Sequence, residues 1–374
     1  MDDAGAIIRV VGVDLSGRHP SIPLASLPVL FYHATMKRFT HLAVLVMSLQ
    51  GFLTASDQPN QQDAVSRLEQ DVAKTNIFEL PSFAMKASIQ VESQGKLTDG
   101  TYQLLWNGPD QWREEVNLPG YSGVQIGGKG VIWVQRSGDF TPLPVFFLHQ
   151  ALGFGSSVTS AGSPQSMSLV HVALAPGDTI KNTKKRQEHG DGLTCFEIEE
   201  VGNGGKQSSE ICVNDSSDTV ARASIMFTDG NLQPVGTKMF PRLLTLHRGH
   251  KVLARVNVSE LASPAQFPSD AFTLPAGASS RAGCMNPTPV RSVSHPNPEY
   301  PPMARKHHAD GTVGFDVLIG ADGIPRVRKV VESAGPDLED SSRRALSQWR
   351  YDPARCNGKP VEVETFLEFN FATF

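Results

Sequence analysis

An alternation of apolar and polar residues near the carboxyl end most constrains what this chain can fold into. Valine, phenylalanine and isoleucine occupy every second position over 313–319. The pattern returns over 361–371, where glutamates and an asparagine fill most of the positions between apolar residues or a threonine. A period of two is typical of strands that bury one face. The chain is therefore expected to end in a small sheet whose last strand is long.

Prolines and glycines separate the other elements of this C-terminal unit. Pro301 and Pro302 are expected to start a short helix at Met303, because proline fixes φ and suits a first helical turn. A turn at 321–323, a second strand over 327–332 and a longer helix follow. The longer helix carries four apolar residues on one side, which are Leu338, Ala345, Leu346 and Trp349. The pattern predicts a small α+β domain.

The order of these elements and their residues resembles the C-terminal domain of the TonB family, the periplasmic energy transducers of the Gram-negative envelope. The motif residues, for which the resemblance implies structural roles, are Pro298, Tyr300, Pro301, Ala304, Arg305, Gly311, Trp349, Pro353 and Gly358. Tyr300, Trp349 and Tyr351 are expected to form an aromatic core between the helices and the sheet.

The resemblance also implies a binding mechanism for the final strand. In the TonB family this domain captures a short segment of an outer-membrane receptor by adding it as a strand to the sheet edge, where unpaired backbone groups supply affinity. The candidate partner-strand residues are Val361, Val363, Thr365, Leu367, Phe369 and Phe371. Glu362, Glu364 and Glu368 are expected to form a solvent-facing row that discourages indiscriminate pairing. Pairing of this strand within the domain or in a dimer is the alternative.

A short export signature begins at Met36. A basic lead over 37–41, an apolar run over 42–53 and a small residue at 55 have the anatomy of a secretory signal peptide. We therefore predict a periplasmic protein whose residues 1–35 are an extension before the true start. An uncleaved inner-membrane anchor over 42–53 and a buried helix are the alternatives, and the run is short for a membrane span.

The four cysteines all follow this segment, and an even number in an oxidising compartment suggests pairs. Asn203 and Gly204 predict a two-residue hairpin turn, and counting outward from it places Cys195 opposite Cys212 at a non-hydrogen-bonded position, where a disulfide fits. By elimination, Cys284 and Cys356 form the second pair. Neither pair has metal-ligand spacing, so no metal site is predicted.

A second, β-rich domain is predicted over 56–277, joined by a linker at 278–298 to the C-terminal domain at 299–374. It opens with a helix over 64–73 and continues with strands over 82–93, 100–106, 111–117, 122–126 and 131–135. A helical stretch over 143–152 comes next. More strands follow over 194–200, 210–213, 221–228, 243–248 and 251–260. Short connections rich in glycine and proline indicate an antiparallel sheet folded by hairpins.

This string of elements is similar to the LolA and LppX-like half-barrels, which are periplasmic carriers and sensors of lipid tails. The predicted fold class is therefore α+β, with a LolA-like antiparallel half-barrel before the small TonB-type domain. The resemblance implies an apolar concave face, and the residues that would line it or form its lid include Phe146, Phe147, Leu152 and Phe154. The alternative is that this apolar stripe is ordinary core.

Composition and motifs exclude several function classes. The net charge of −4 gives no reason to expect nucleic-acid binding. The chain has no nucleophile elbow, no zinc-protease motif and no phosphate-binding loop, so neither an enzyme nor a cofactor is predicted. The predicted function is recognition of an outer-membrane receptor or another envelope protein, linked to transport across the envelope. The alternative is a periplasmic lipid or lipoprotein carrier or sensor that uses the LolA-like cavity.

Overall fold

The computed structural model describes residues 6–9, 61–93, 95–152, 179–188, 190–202, 205–223, 226–228, 232–248, 251–282, 288 and 290–372. The helices are α1 (Gln61–Thr75), α2 (Leu143–Leu152), α3 (Pro302–Lys306) and α4 (Pro336–Ser347), with a 3-10 turn at Ile77–Glu79. In this part of the chain, no helix has the length and apolar character needed to cross a membrane. The predicted signal or anchor at 36–55 lies outside the described residues.

The strands, in chain order, are β1 (Ala6–Arg9), β2 (Phe83–Ser93), β3 (Lys96–Trp106), β4 (Trp112–Leu118), β5 (Tyr121–Gly128), β6 (Val131–Arg136), β7 (Thr179–Glu188), β8 (Asp191–Gly202), β9 (Gly205–Asn214), β10 (Thr219–Ala223), β11 (Met226–Thr228), β12 (Leu232–Val235), β13 (Lys238–Pro241), β14 (Leu243–Arg248), β15 (Lys251–Ala262), β16 (Ser279–Ala282), β17 (Arg291–Ser294), β18 (Gly311–Ile319), β19 (Pro325–Glu332), β20 (Arg350–Asp352), β21 (Arg355–Cys356), β22 (Lys359–Pro360) and β23 (Val363–Phe371). The predicted α+β class with antiparallel sheets is confirmed.

Thirteen strands form one open sheet in the order β16-β6-β5-β4-β3-β2-β15-β14-β11-β10-β9-β8-β7. Strand β2 alternates buried and less buried residues along most of its length, because one face packs on the core and the other faces outward. Helix α2 contacts β2, β14 and β15, whereas α1 contacts β7, β10 and β13. The two helices therefore cover different parts of the sheet.

The predicted disulfide between Cys195 and Cys212 is confirmed. These two residues are register partners in the β8–β9 hairpin, with their Cα atoms 3.9 Å apart and a sulfur–sulfur bond of 2.07 Å. The turn at 203–204 lies outside the described residues, but Gly202 pairs with Gly205 on either side of it. Cys356 is disulfide-bonded, and Cys284 lies outside the described residues, so the second pair stays a prediction.

The prediction of one strand over 221–228 was wrong. Strands β10 and β11 occupy this region, and they pair with each other, with Arg222 opposite Phe227. The segment between them contains no glycine, proline, asparagine or aspartate, so the sequence lacked the usual turn signal. Strand β7 was not predicted at all.

The C-terminal domain contributes β23, β18 and β19 to a four-stranded sheet in the order β1-β23-β18-β19, with α4 against β18 and β19. Its core is formed by the inward face of the sheet, the apolar side of α4 and the predicted aromatic residues. The opposite face of the sheet meets the first domain, which is the 13-stranded sheet with α1 and α2, since Phe366 belongs to the core of that domain and Val331 packs against it. Strand β23 therefore has one face in each hydrophobic core.

Candidate functional site

The final strand, β23, has different neighbours along its two edges. On one side it pairs with β18 over its whole length, from Val363 opposite Ile319 to Phe371 opposite Gly311. On the other side β1 pairs antiparallel with residues 368–371. No element was predicted at 6–9, which is a short run without alternation. This second edge of β23 is the candidate site.

The side chains of the predicted partner-strand residues all point into the core of the C-terminal domain. The set comprises Val361, Val363, Thr365, Leu367, Phe369 and Phe371, and each of them is buried. A buried side chain has no surface to offer a partner. Any strand that these residues bind would therefore be held by their backbone N–H and C=O groups.

The expectation of a solvent-facing glutamate row was wrong for two of its three members. Glu362 is exposed, but Glu368 is buried and the Glu364 side chain is only 11% exposed. Glu364 Oε2 accepts a hydrogen bond from Arg136 Nη1 at 2.8 Å, and its Oε1 accepts one from the backbone N–H of Thr141 at 2.6 Å. Glu364 is covered because the first domain packs on this face, which the pattern of one strand does not reveal.

Aromatic contacts hold β23 from its buried side. The Trp349 ring lies 5.2 Å from the Phe369 ring and its Nε1 donates to the carbonyl of Pro296 at 3.0 Å. The Tyr300 ring lies 5.6 Å from the ring of Phe371. Burial, with the nearby Asp310 carboxylate, raises the pKa of Tyr300. These rings fix the strand while leaving its second edge to other partners.

The other motif residues shape the turns and the entry of this domain. Pro298 and Ala304 are buried, Pro301 immediately precedes α3, and the Arg305 guanidinium lies 5.7 Å from the centroid of the Tyr300 ring. A side chain at Gly311 would meet the Cβ of Ala334 at 2.8 Å, and its φ of +146° favours glycine. Pro353 follows β20, and Gly358 has a φ of +78°. Their placement fits structural roles.

A carboxyl group with a raised pKa lies in the sheet behind this edge. Asp316 in β18 is the register partner of Phe366 and is 6% exposed. Burial, followed by the charge of Glu364, raises its pKa to about 7, although Arg136 and Arg328 oppose the shift. The sequence analysis did not identify Asp316, because an aspartate between apolar residues of a strand is expected to face solvent.

Two of the predicted cavity residues are packed in the core. Phe146 and Phe147 are buried in the first domain, their rings are 5.7 Å apart, and Phe147 lies 6.3 Å from Phe366. Leu152 ends α2, and Phe154 lies outside the described residues. The predicted apolar cavity stays a prediction.

A buried contact between a histidine and a glutamate joins α2 to the sheet and was also missed. His149 Nε2 lies 2.8 Å from Glu114 Oε1 in β4, both side chains are almost fully buried, and the angles depart from those of a good hydrogen bond. Burial, then the charge of Glu114, raises the pKa of Tyr102 beside them. In the described ranges, the one cluster with metal-ligand chemistry is Cys195, Glu210 and Cys212, whose sulfurs are already joined to each other.

Comparisons with known proteins find relatives of the C-terminal domain. Residues 296–373 match the family described as Gram-negative bacterial TonB protein C-terminal. Protein TonB of Vibrio cholerae is 27% identical over 110 residues, which cover 29% of this chain and 45% of that protein. The chain thus spans less than half the length of this curated relative.

Two solved structures are similar to parts of the chain. The TonB C-terminal domain of Pseudomonas aeruginosa is 29% identical, covering 23% of this chain and 88% of that one, with a TM-score of 0.19. A LolA superfamily protein from Nitrosomonas europaea is 14% identical, covering 56% of this chain and 97% of that one, with a TM-score of 0.34. The resemblance to the TonB family predicted from the sequence is confirmed, since residues 296–373 of this chain are similar to the C-terminal domain of the Gram-negative TonB protein.

Proposed function

We propose that this chain is a non-enzymatic protein of the Gram-negative envelope that binds an extended segment of another protein along β23. The observation that carries the proposal is the pairing of β1 with residues 368–371, on the edge of β23 opposite β18. An edge that accepts one antiparallel strand offers the same unpaired backbone groups to a segment of a partner.

The partner we propose is an outer-membrane receptor of the TonB-dependent class or another envelope protein, in a role linked to transport. The family match over 296–373 supports this choice. The protein would act in the periplasm. Cleavage within 36–55 would make it an adaptor, whereas retention of 42–53 would anchor it in the inner membrane and allow energy transduction. The N-terminal sequence of the mature protein recovered from its host distinguishes these two forms.

The test of strand addition uses a variant that lacks residues 1–35 and a synthetic peptide with the sequence of residues 4–11 of this chain. Saturating peptide is expected to slow amide hydrogen exchange at 368–371 by at least about tenfold, since the added strand would take up free backbone groups. The matched controls are two peptides of the same sequence with methyl groups on alternate backbone nitrogens. One is methylated at the odd-numbered positions and the other at the even-numbered positions.

One of the two methylated peptides should fail to protect these amides, because it cannot donate to β23 although it keeps every side chain. Equal protection by all three peptides, or protection that avoids 368–371, would exclude strand addition. A photoreactive residue in place of Asn370 then identifies the partner in host cells. The same residue in place of the exposed Asp340 in α4 is the control for unspecific capture.

We rank the carrier function below strand binding. A lipid carrier needs an apolar cavity of some hundreds of cubic ångströms. Val145, Phe146, Phe147 and Leu148 of α2 are instead buried in the core of the first domain. Their packing supports the alternative in which this stripe is ordinary core.

A further inference from the structure

The two carboxyl groups between the domains, those of Glu364 and Asp316, differ in their hydrogen bonding. Glu364 engages both of its oxygens with the first domain, through Arg136 and the backbone N–H of Thr141. Asp316 lies on the same face of the small sheet, one strand away, and its Oδ2 is buried with no hydrogen-bond partner among the described residues. Ionisation of Asp316 would be unfavourable, because its buried Oδ2 would carry charge without a hydrogen-bond donor, although the backbone N–H of Val317 donates to the carboxyl group and lowers its pKa.

The cations nearest to Asp316 do not compensate for this. Lys329 is its register partner in β19, but the Lys329 ammonium lies 4.6 Å from the ring centroid of Phe140 in the first domain. Arg136 pairs with Glu364 at 2.8 Å. Arg328 in β19 and the backbone N–H of Val317 also favour ionisation of Asp316, yet burial and the charge of Glu364 act more strongly and raise the pKa of Asp316 to about 7.

The apolar part of the interface surrounds the same point. Phe366, the register partner of Asp316 in β23, is buried in the core of the first domain and lies 6.3 Å from the ring of Phe147 in α2. A charge at Asp316 would therefore have to be solvated inside this contact. Local separation of the two domains would let water reach the buried Oδ2.

We propose that docking of the C-terminal sheet on the first domain is proton-linked, with Asp316 as the proton-binding group. Protonated Asp316 is neutral and compatible with the closed contact between β23 and the segment from Arg136 to Phe147. Ionised Asp316 repels Glu364 and loosens that contact. The surroundings of β23, the candidate partner-binding strand, would then depend on pH.

The direction follows from proton linkage. The docked form holds its proton up to about pH 7, whereas a solvated aspartate loses it near pH 3.8. The docked form thus binds more protons between these values, so docking is strongest in acid. It weakens by up to about tenfold per pH unit as the pH rises towards 7, and levels off above that value.

The test compares the full chain with the variant Asp316→Asn between pH 5 and 8.5. Docking is followed by amide exchange of residues 140–147, corrected for the intrinsic effect of pH. Protection in the unaltered chain is expected to fall by at least about tenfold between pH 5 and 7.5, while Asp316→Asn stays protected throughout. The matched control, Asp322→Asn, removes an exposed aspartate of the same domain whose pKa Arg326 lowers to about 2, and should leave the profile unchanged.

A second measurement does not depend on the variant. The carboxyl carbon of Asp316, followed by NMR in the labelled full chain, is expected to titrate with a midpoint near 7. A midpoint below 5, or a pH profile that is the same in Asp316→Asn as in the unaltered chain, would overturn the proposal. Strand addition to β23 is measured separately with the peptide, so either proposal can fail alone.

Discussion

The turn between β18 and β19 leaves no room for a side chain at Gly323. Its φ is +75°, and a Cβ would lie 1.9 Å from the carbonyl oxygen of Tyr351. We expect Gly323→Ala to lower the free energy of unfolding of the C-terminal domain by about 3 kcal/mol, because backbone strain and a clash with main chain act together. Scanning calorimetry of the full chain measures the loss.

Gly358 provides the matched control. Its φ of +78° is nearly the same, but an added Cβ would meet nothing within 4 Å. Gly358→Ala should therefore lower the free energy of unfolding only by the cost of the backbone conformation, about 1 kcal/mol. If the two substitutions destabilised the domain equally, the close approach of Tyr351 to Gly323 would be wrong.

The Cys195–Cys212 bond is expected to stabilise the first domain mainly by restricting its unfolded chain. It joins residues 17 apart in sequence, for which loop entropy predicts about 3 kcal/mol. Replacing both cysteines with alanine should lower the free energy of unfolding by this amount in urea denaturation. Reductant should destabilise the first domain of the unaltered chain to a similar extent and leave that of the double variant unchanged. A double variant as stable as the unaltered chain would contradict the prediction.

At the scale of elements, the buried contact between His149 and Glu114 joins α2 to β4. His149→Leu would remove the imidazole from Glu114 Oε1 and leave this carboxylate with Gln125 Nε2 at 3.4 Å from its Oε2, which costs about 1–3 kcal/mol of stability. Adding Glu114→Gln to this variant removes the unpaired charge while keeping an amide oxygen beside Tyr102. The double variant is expected to recover most of the loss in urea denaturation. Equal stability of the single and double variants would show that the charge of Glu114 carries no penalty.

Elements with one apolar face were the predictable ones. Strands β18 and β23 and helix α4 were recognised because each keeps one face in its own core. Strand β7 was missed because its residues, Thr-Ile-Lys-Asn-Thr-Lys-Lys-Arg-Gln-Glu, show no such face. It lies at the edge of the large sheet and its charges are matched across strands, as Lys184 is with Glu197 and Arg186 with Glu210. Such ion pairs depend on register, which the composition of a single strand does not give.

At the scale of the whole molecule, the interface between the domains was beyond prediction from one strand. Thr365, Phe366 and Leu367 interrupt the alternation of β23, and Phe366 was the signal that its second face is also buried. Its partner could not be inferred, because Phe147 lies more than two hundred residues earlier in another domain. The glutamate side chains on that face were therefore predicted to face solvent. The role of β23 as the partner-binding edge stays a prediction, because it came from the resemblance and not from the pattern of the strand.

Neighbouring residues of β23 should have separable effects on stability. Phe366→Ala removes a side chain from the contact with Phe147, whereas Leu367→Ala removes one from the core of the C-terminal domain. Each substitution should cost about 3 kcal/mol or more. In scanning calorimetry, Phe366→Ala is expected to separate the unfolding of the two domains into distinct transitions. Leu367→Ala should instead lower the transition of the C-terminal domain, and a single unsplit transition in Phe366→Ala would contradict the assignment.

The burial of Phe366 in a foreign core limits how freely the C-terminal domain can be transplanted. A graft of residues 290–372 onto an unrelated scaffold would expose this phenylalanine and leave Glu364 without Arg136. Exposed apolar surface of this kind promotes self-association. A chimera would therefore need a polar residue at 366, and a recipient that keeps the phenylalanine would need its own equivalent of α2. Whether this domain can be moved to another protein therefore depends on the Phe366 side chain as well as on its fold.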